Sequence, residues 1–335
     1  MSDKLYQTVH ARSLEQFNEK GEQIADALRS NVLNHDNPAD GFKPQAYDLS
    51  EYPYQSPDCI RVSGKNAGSE VLRGLAGEIN NLNVDPIIEH YSKRPDLLNH
   101  IADRLKDGKD VGVVTDHSSV IGVAVAGGAL ACALYEGRYA TADKLRTGIF
   151  VSSMIKHTQL QGALPTVDVL AGIFSETFFS LPPSKSIRDS EIPKEYRYAF
   201  NAETKPDFET QLDKDDGMLV MLAGSGSRDK LGTRRFRRKQ IFMGPLANGT
   251  VDILKRLYSL PVGLEIQEDK SEMFVDSLRR PIQSEEDAHR IMGSIATGMS
   301  NKAKTRRKYY RTRELFNTAW EDTEEHKDSL KKAKD

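Results

Sequence analysis

The sequence predicts an α/β fold, a mixed sheet flanked by helices, behind a helical N-terminal region. Three observations carry that prediction. The run Asp110-Val-Gly-Val-Val-Thr115 is a short apolar strand, followed by the polar turn Asp116-His-Ser-Ser119 and then by fifteen apolar residues, Val120 to Leu134. Strand, polar turn, helix is how an α/β unit opens. A second strand, Gly217-Met-Leu-Val-Met-Leu222, runs into the small residues Ala223-Gly-Ser-Gly-Ser227. Before Gly108 the apolar residues recur mostly at helical spacing.

The elements follow in order. Residues 1–35 read as helical, with Ser13 as a cap and Leu14, Phe17, Ile24, Ala25 and Leu28 near helical spacing. Residues 36–68 are rich in Pro, Asp, Ser and Tyr and read as an irregular connection. Short helices are expected over Glu70–Asn80, Pro86–Tyr91 and Asp96–Leu105, the last with Leu97, Leu98, Ile101 and Leu105 on one face. After the 110–115 strand and its helix come strands over Gly148–Ile155 and Ile173–Leu181, the second closed by Pro182-Pro183. Phe208–Leu212 reads as a short helix. The 217–222 strand is followed by a helix over Val251–Tyr258 and a strand, Leu260-Pro-Val-Gly-Leu-Glu-Ile266. Ser284 to Ser300 reads as a helix with an imperfect capping box, Ser284 followed by Glu285 and Glu286. The resulting division is a helical region over 1–107, an α/β domain over 108–300 and a charged helical tail over 301–335. In the tail, Leu315, Ala319 and Trp320 could dock one face on the body.

Composition bounds the function. The 335 residues suggest two domains, or one with a helical extension, at about 150 residues per domain. Forty-seven Lys and Arg against 49 Asp and Glu give a net charge of -2, which excludes a uniformly basic nucleic-acid binder. Two cysteines, Cys59 and Cys132, make neither a disulfide framework nor, alone, a zinc site. No signal-peptide pattern opens the chain, and the 120–134 run falls short of the roughly 20 residues a membrane span needs. The expected location is the cytoplasm.

Four groups of residues could carry chemistry. His117 stands just past a buried strand, where ligands of open α/β sheets bind, and an imidazole there can take a proton from a hydroxyl. The helix that follows offers N–H groups to an anion. The plainer alternative is a His that satisfies backbone groups at a helix start. Gly224-Ser225-Gly226-Ser227-Arg228-Asp229-Lys230 offers close backbone approach and a guanidinium fork to a phosphate, yet it is neither a Walker loop nor a dinucleotide fingerprint. Taken alone it is equally a surface turn. Lys185 and Arg188 could add positive charge to the same site. Arg234, Arg235, Arg237, Arg238 and Lys239 form a basic patch around Phe236 that suits anionic lipid head groups, coenzyme A phosphates, an acidic carrier protein or nucleic acid, or serves as a solubilising loop.

In order, these blocks resemble those of the glycerolphosphate acyltransferase superfamily. Val113-Val-Thr-Asp-His-Ser-Ser119 resembles the block that usually reads N-H-x-x-x-x-D. Ala223-Gly-Ser-Gly-Ser-Arg-Asp-Lys230 resembles the later phosphate-binding block, nearer the S-G-G-R-D-R form of the soluble glycerol-3-phosphate acyltransferases than P-E-G-T-R. Phe174 to Arg188 falls where the family has an apolar strand ending near an Arg, and 260–266 resembles its final proline-containing strand. The likeness spans roughly residues 70–270.

The resemblance implies an acyltransferase that moves an acyl chain from a thioester to the hydroxyl of a glycerol phosphate or lysophospholipid. His117 would be the general base. Ser225, Gly226, Ser227 and Arg228 would hold the phosphate, with Arg188 as a further carry-over. It implies no permanently bound cofactor, acyl-CoA or acyl carrier protein as co-substrate, and peripheral contact with an anionic membrane at its inner face. Nucleic acid ranks last among partners. One departure stands out: Gly122 occupies the position, five after His117, where the family has the Asp that orients the imidazole. In the serine-protease case, loss of that acid costs on the order of 10⁴ in rate. Asp116 is the nearest substitute in sequence. The alternative is a degenerate acyltransferase-like protein that binds lipid or acyl donor without turnover.

Overall fold

A computed structural model describes residues 7–9, 60–62, 83–118, 122–139, 146–151, 177–180, 212, 216–225, 229–235, 238–266 and 271–332. The expected helix over 70–80, the expected helix over 208–212 apart from Leu212, and the expected irregular connection over 36–68 apart from the strand at 60–62 lie outside these residues. Within the segment read as helical at the N-terminus, β1 (Gln7–Val9) is instead a strand, paired in parallel with β2 (Ile60–Val62).

Two short helices come next, α1 (Asp85–Ser92) and α2 (Pro95–Lys106), and each carries a proline in its first turn, where the missing N–H costs nothing. Gly108, at φ 69°, closes the end of α2 in the left-handed region that glycine enters without penalty. The chain then enters β3 (Val111–Thr115), whose five residues are all buried. α3 (Gly122–Glu136) is the apolar helix expected from the sequence. β4 (Arg146–Val151), β5 (Thr177–Ser180) and β6 (Met218–Ala223) follow. β7 (Lys230–Arg235) and β8 (Arg238–Met243) pair antiparallel. α4 (Asn248–Leu254), β9 (Tyr258–Ile266), β10 (Ser271–Val275), α5 (Glu285–Lys302), β11 (Arg306–Tyr309) and α6 (Arg313–Lys332) complete the chain.

The main sheet has the order β10-β9-β3-β6-β4-β5. All its neighbours pair in parallel except β10, which returns antiparallel along β9. Parallel strands buried on both faces read as unbroken apolar runs, and this is why 111–115 and 218–222 were legible as strands. Met221 meets Gly127 of α3 on one face. Met218, Val220 and Leu222 join the core formed with α4 and α5 on the other. The fold is therefore a mixed α/β sheet covered by helices on both sides.

α1 is tied to α3 by the buried Tyr91 hydroxyl, which donates to the carbonyl of Ala126 (3.1 Å). The Arg94 guanidinium donates to the Val275 carbonyl (2.8 Å) and so fixes the α1–α2 junction to the end of β10. α5 begins with a complete capping box: the Ser284 hydroxyl accepts from the Asp287 N–H, and the Asp287 carboxylate accepts from the Ser284 N–H. The reciprocal partner is Asp287, not Glu285 or Glu286, because the box requires the third residue after the cap.

The tail departs most from its expected form. Residues 306–309 are a strand, paired in parallel with β8 in a second, three-stranded sheet of order β11-β8-β7. Beyond it, α6 packs Phe316 and Trp320 near Phe242 and Tyr310. Trp320 does dock, as the sequence suggests, but the buried anchor is Phe316, while Leu315 is 59% exposed. Among the described residues no helix is long and apolar enough to cross a membrane.

Candidate functional site

β3, β6 and β9 lie side by side and parallel, so the turns that follow their carboxyl ends converge at one edge of the sheet. That edge is where open α/β sheets bind ligands. The turn after β3 carries Asp116, His117 and Ser118, and the turn after β6 carries Gly224 and Ser225. Asp229 stands immediately before β7, while Leu264 and Glu265 come from β9. The backbone joins the first two turns: the Gly224 N–H donates to the Thr115 carbonyl (3.2 Å).

His117 and Asp229 are joined twice. The His117 N–H donates to Asp229 Oδ2 (2.9 Å), and the Asp229 N–H donates to the His117 carbonyl (3.0 Å). Asp229 Oδ1 accepts from the Gly244 N–H (3.4 Å) and from Ser225 Oγ (3.5 Å). The histidine block and the small-residue block, 112 residues apart in sequence, thus meet through main chain and one carboxyl. The half-buried His117 enters these bonds through its backbone.

Asp116 is buried, and both its oxygens have partners. Oδ1 accepts from the Leu264 N–H (3.0 Å), and Oδ2 accepts from Arg307 Nε (2.8 Å). Arg307 is the inward-facing residue of β11, its side chain fully excluded from solvent. Its Nη1 donates to Glu265 Oε2 (3.2 Å), and its Nη2 donates to Ser118 Oγ and to the Leu264 carbonyl (3.4 Å each). Thr305 Oγ1 holds the other Glu265 oxygen (2.8 Å), and Ser118 Oγ donates in turn to the Leu264 carbonyl (3.2 Å).

Among the described residues, one cation here, Arg307, faces three acids: Asp116, Glu265 and Asp229. The structure resolves that imbalance at Asp229. Burial, and then the nearby charge of Asp116, push its carboxyl up to about 8, against the opposing pull of the His117 and Gly244 N–H groups and of Arg307. At neutral pH Asp229 is largely the neutral acid. Arg307 is then shared between Asp116 and Glu265, the fork geometry that a guanidinium suits and an ammonium does not.

Of the residues expected at the site, His117, Asp116 and Ser225 come together at this sheet edge. Gly226, Ser227, Arg228 and Arg188 lie outside the described residues. Ser225 is buried, with its hydroxyl toward Asp229. Position 122, where the resemblance expects an acid, is the buried first residue of α3. Arg307, Glu265 and Ser118 were not singled out by the sequence, and Asp229 stood there only as part of the turn. Among the described residues no group of His, Cys, Asp and Glu could hold a metal ion.

Compared with known proteins, the chain matches no protein-family model and no curated protein sequence.

Proposed function

We propose that the chain is an acyltransferase, carrying an acyl group from coenzyme A or an acyl carrier protein to the hydroxyl of a glycerol phosphate or lysophospholipid. The observation that supports it most is the paired hydrogen bonding of His117 with Asp229. It brings the strand-to-His block and the phosphate-binding block to the carboxyl ends of two adjacent parallel strands. In the finer fold reading, the six-stranded sheet is the acyltransferase-like sheet, with His117 at the end of β3.

The imidazole of His117 takes the proton of the acceptor hydroxyl as its oxygen attacks the thioester carbonyl. The tetrahedral intermediate collapses, the carbon–sulfur bond breaks, and the imidazolium returns its proton to the leaving thiolate. Residues 225–228 and Arg188 hold the acceptor phosphate. The basic patch of residues 234–239 favours an anionic partner, such as a lipid surface or the donor's own phosphates.

The purified chain, given an acyl-CoA or acyl-carrier thioester with glycerol 3-phosphate or a lysophospholipid, should release free thiol and form the ester. His117→Ala should cut that rate by about 10²–10⁴. Full activity of this variant would overturn the assignment.

A second reading is favoured by one observation. Gly122 supplies no carboxylate, and the Asp116 oxygens are engaged by Leu264 and Arg307. On that reading the site binds donor or acceptor without turnover. Saturable binding of either ligand with no thiol release above background would select it.

A further inference from the structure

The turn that carries His117 is held, through the residues before and after it, by one distant side chain. Arg307 donates to Asp116 and to Ser118, the neighbours of His117, and reaches Leu264 and Glu265 on β9 with the same guanidinium. Asp116 and Ser118 each also bond the Leu264 backbone, so turn, strand and guanidinium form a closed network. Arg307 is itself fixed at its main chain. It pairs opposite Ile241 of β8, its N–H donates to Ser300 Oγ (2.8 Å), and Ser300 Oγ donates back to its carbonyl (3.1 Å). Strand alternation leaves Arg306 and Lys308 exposed and turns Arg307 alone of the three inward.

We propose that Arg307 is the positioning residue of this site: supplied by the C-terminal strand, it sets the orientation of the His117 turn through Asp116 and Ser118. The proposal rests on the reading of His117 as the base. Position 122 supplies no acid, and the turn is held through Asp116 and Ser118 by one shared cation. Arg307 touches no reacting atom in this scheme. A misplacement of about 1 Å at a reacting group costs on the order of 100-fold in rate, which sets the scale of the expected effect.

Arg307→Lys keeps the charge and loses the fork. Acyl-transfer kinetics, thermal unfolding and the imidazole NMR signals should be recorded for the full chain and this variant, with His117 assigned by His117→Ala. The expected result is a folded variant whose kcat falls on the order of 100-fold, with KM within about three-fold. Its His117 signal should be displaced. An unchanged kcat and an unchanged His117 signal would overturn the proposal, and so would a loss of rate that merely tracks the unfolded fraction.

If Arg307→Lys does not fold, Glu265→Gln takes its place. That side chain is 12% exposed, and the change loosens the outer half of the guanidinium while leaving Asp116 paired. A displaced His117 signal with reduced kcat then supports the proposal, and wild-type values overturn it. If the wild-type chain transfers no acyl group, the acyltransferase reading fails by itself. Arg307 is then judged on the His117 signal alone, which must move for the positioning role to stand.

Discussion

Asp229 is the residue whose protonation has the clearest consequence. Its carboxyl titrates near 8 in the folded chain because it is buried beside Asp116, and at the ordinary carboxylate value of 3.8 when exposed. Between those values the folded state holds a proton that the unfolded state has released. Stability from this group is therefore complete below about pH 4, declines as pH rises toward 8, and is lost above it. Asp229→Asn copies the neutral acid and should flatten that decline. Urea unfolding from pH 5 to 9 would check it, and an identical slope in both proteins would sink the assignment of the decline to Asp229. Legibility in the sequence differed sharply among the site residues. His117 and Asp116 could be read because they follow a buried strand with no charged residue inside it. Arg307 could not, since it is one of seven basic residues between 302 and 313 and only the pairing of β11 with β8 tells which one turns inward.

At the scale of the element, α5 shows how one helix gives opposite answers to one substitution. A Cβ at Gly293 would meet nothing within 4 Å, so Gly293→Ala gains helix propensity and should stabilise by about 1 kcal/mol. A Cβ at Gly298 would fall 2.4 Å from the ring of Phe274 on β10, forcing helix and hairpin apart. Gly298→Ala should destabilise by roughly 1–3 kcal/mol despite the same gain in propensity. At the start of the same helix, Ser284→Ala removes the acceptor of the capping box and should cost about 1 kcal/mol. Chemical denaturation of the three variants would decide the matter, and equal signs for the two glycines would contradict the packing of α5 on β10. The parallel strands and the apolar helix were readable because burial on both faces leaves a continuous apolar signature. β11 carries no such signature: R-R-K-Y is charged along its solvent side, and its strand form comes from β8, a partner far away in the chain.

Over the whole molecule, the C-terminal segment belongs to the site as well as to the surface. Total charge is near neutral, but β7, β8 and β11 carry eight basic residues and no acid. One of them, Arg307, is carried inward to balance buried acids. The chain therefore places its last strand where a truncation at the end of α5 would leave Asp116 buried and without its cation. Breaking a buried ion pair on one side typically costs about 3–5 kcal/mol. A chain ending at residue 302 would also lose Phe316, which is 1% exposed and held under the cation of Lys230 at 5.1 Å from its ring. A chain ending at residue 312 loses the Phe316 and Trp320 packing but keeps Arg307 on Asp116 and Glu265. The longer form should unfold at lower denaturant than the full chain yet retain the full chain's His117 NMR signal. The shorter form should lose both stability and that signal. Should the chain of 302 residues keep the full-length midpoint and the native His117 signal, the C-terminal strand would have no part in holding the site.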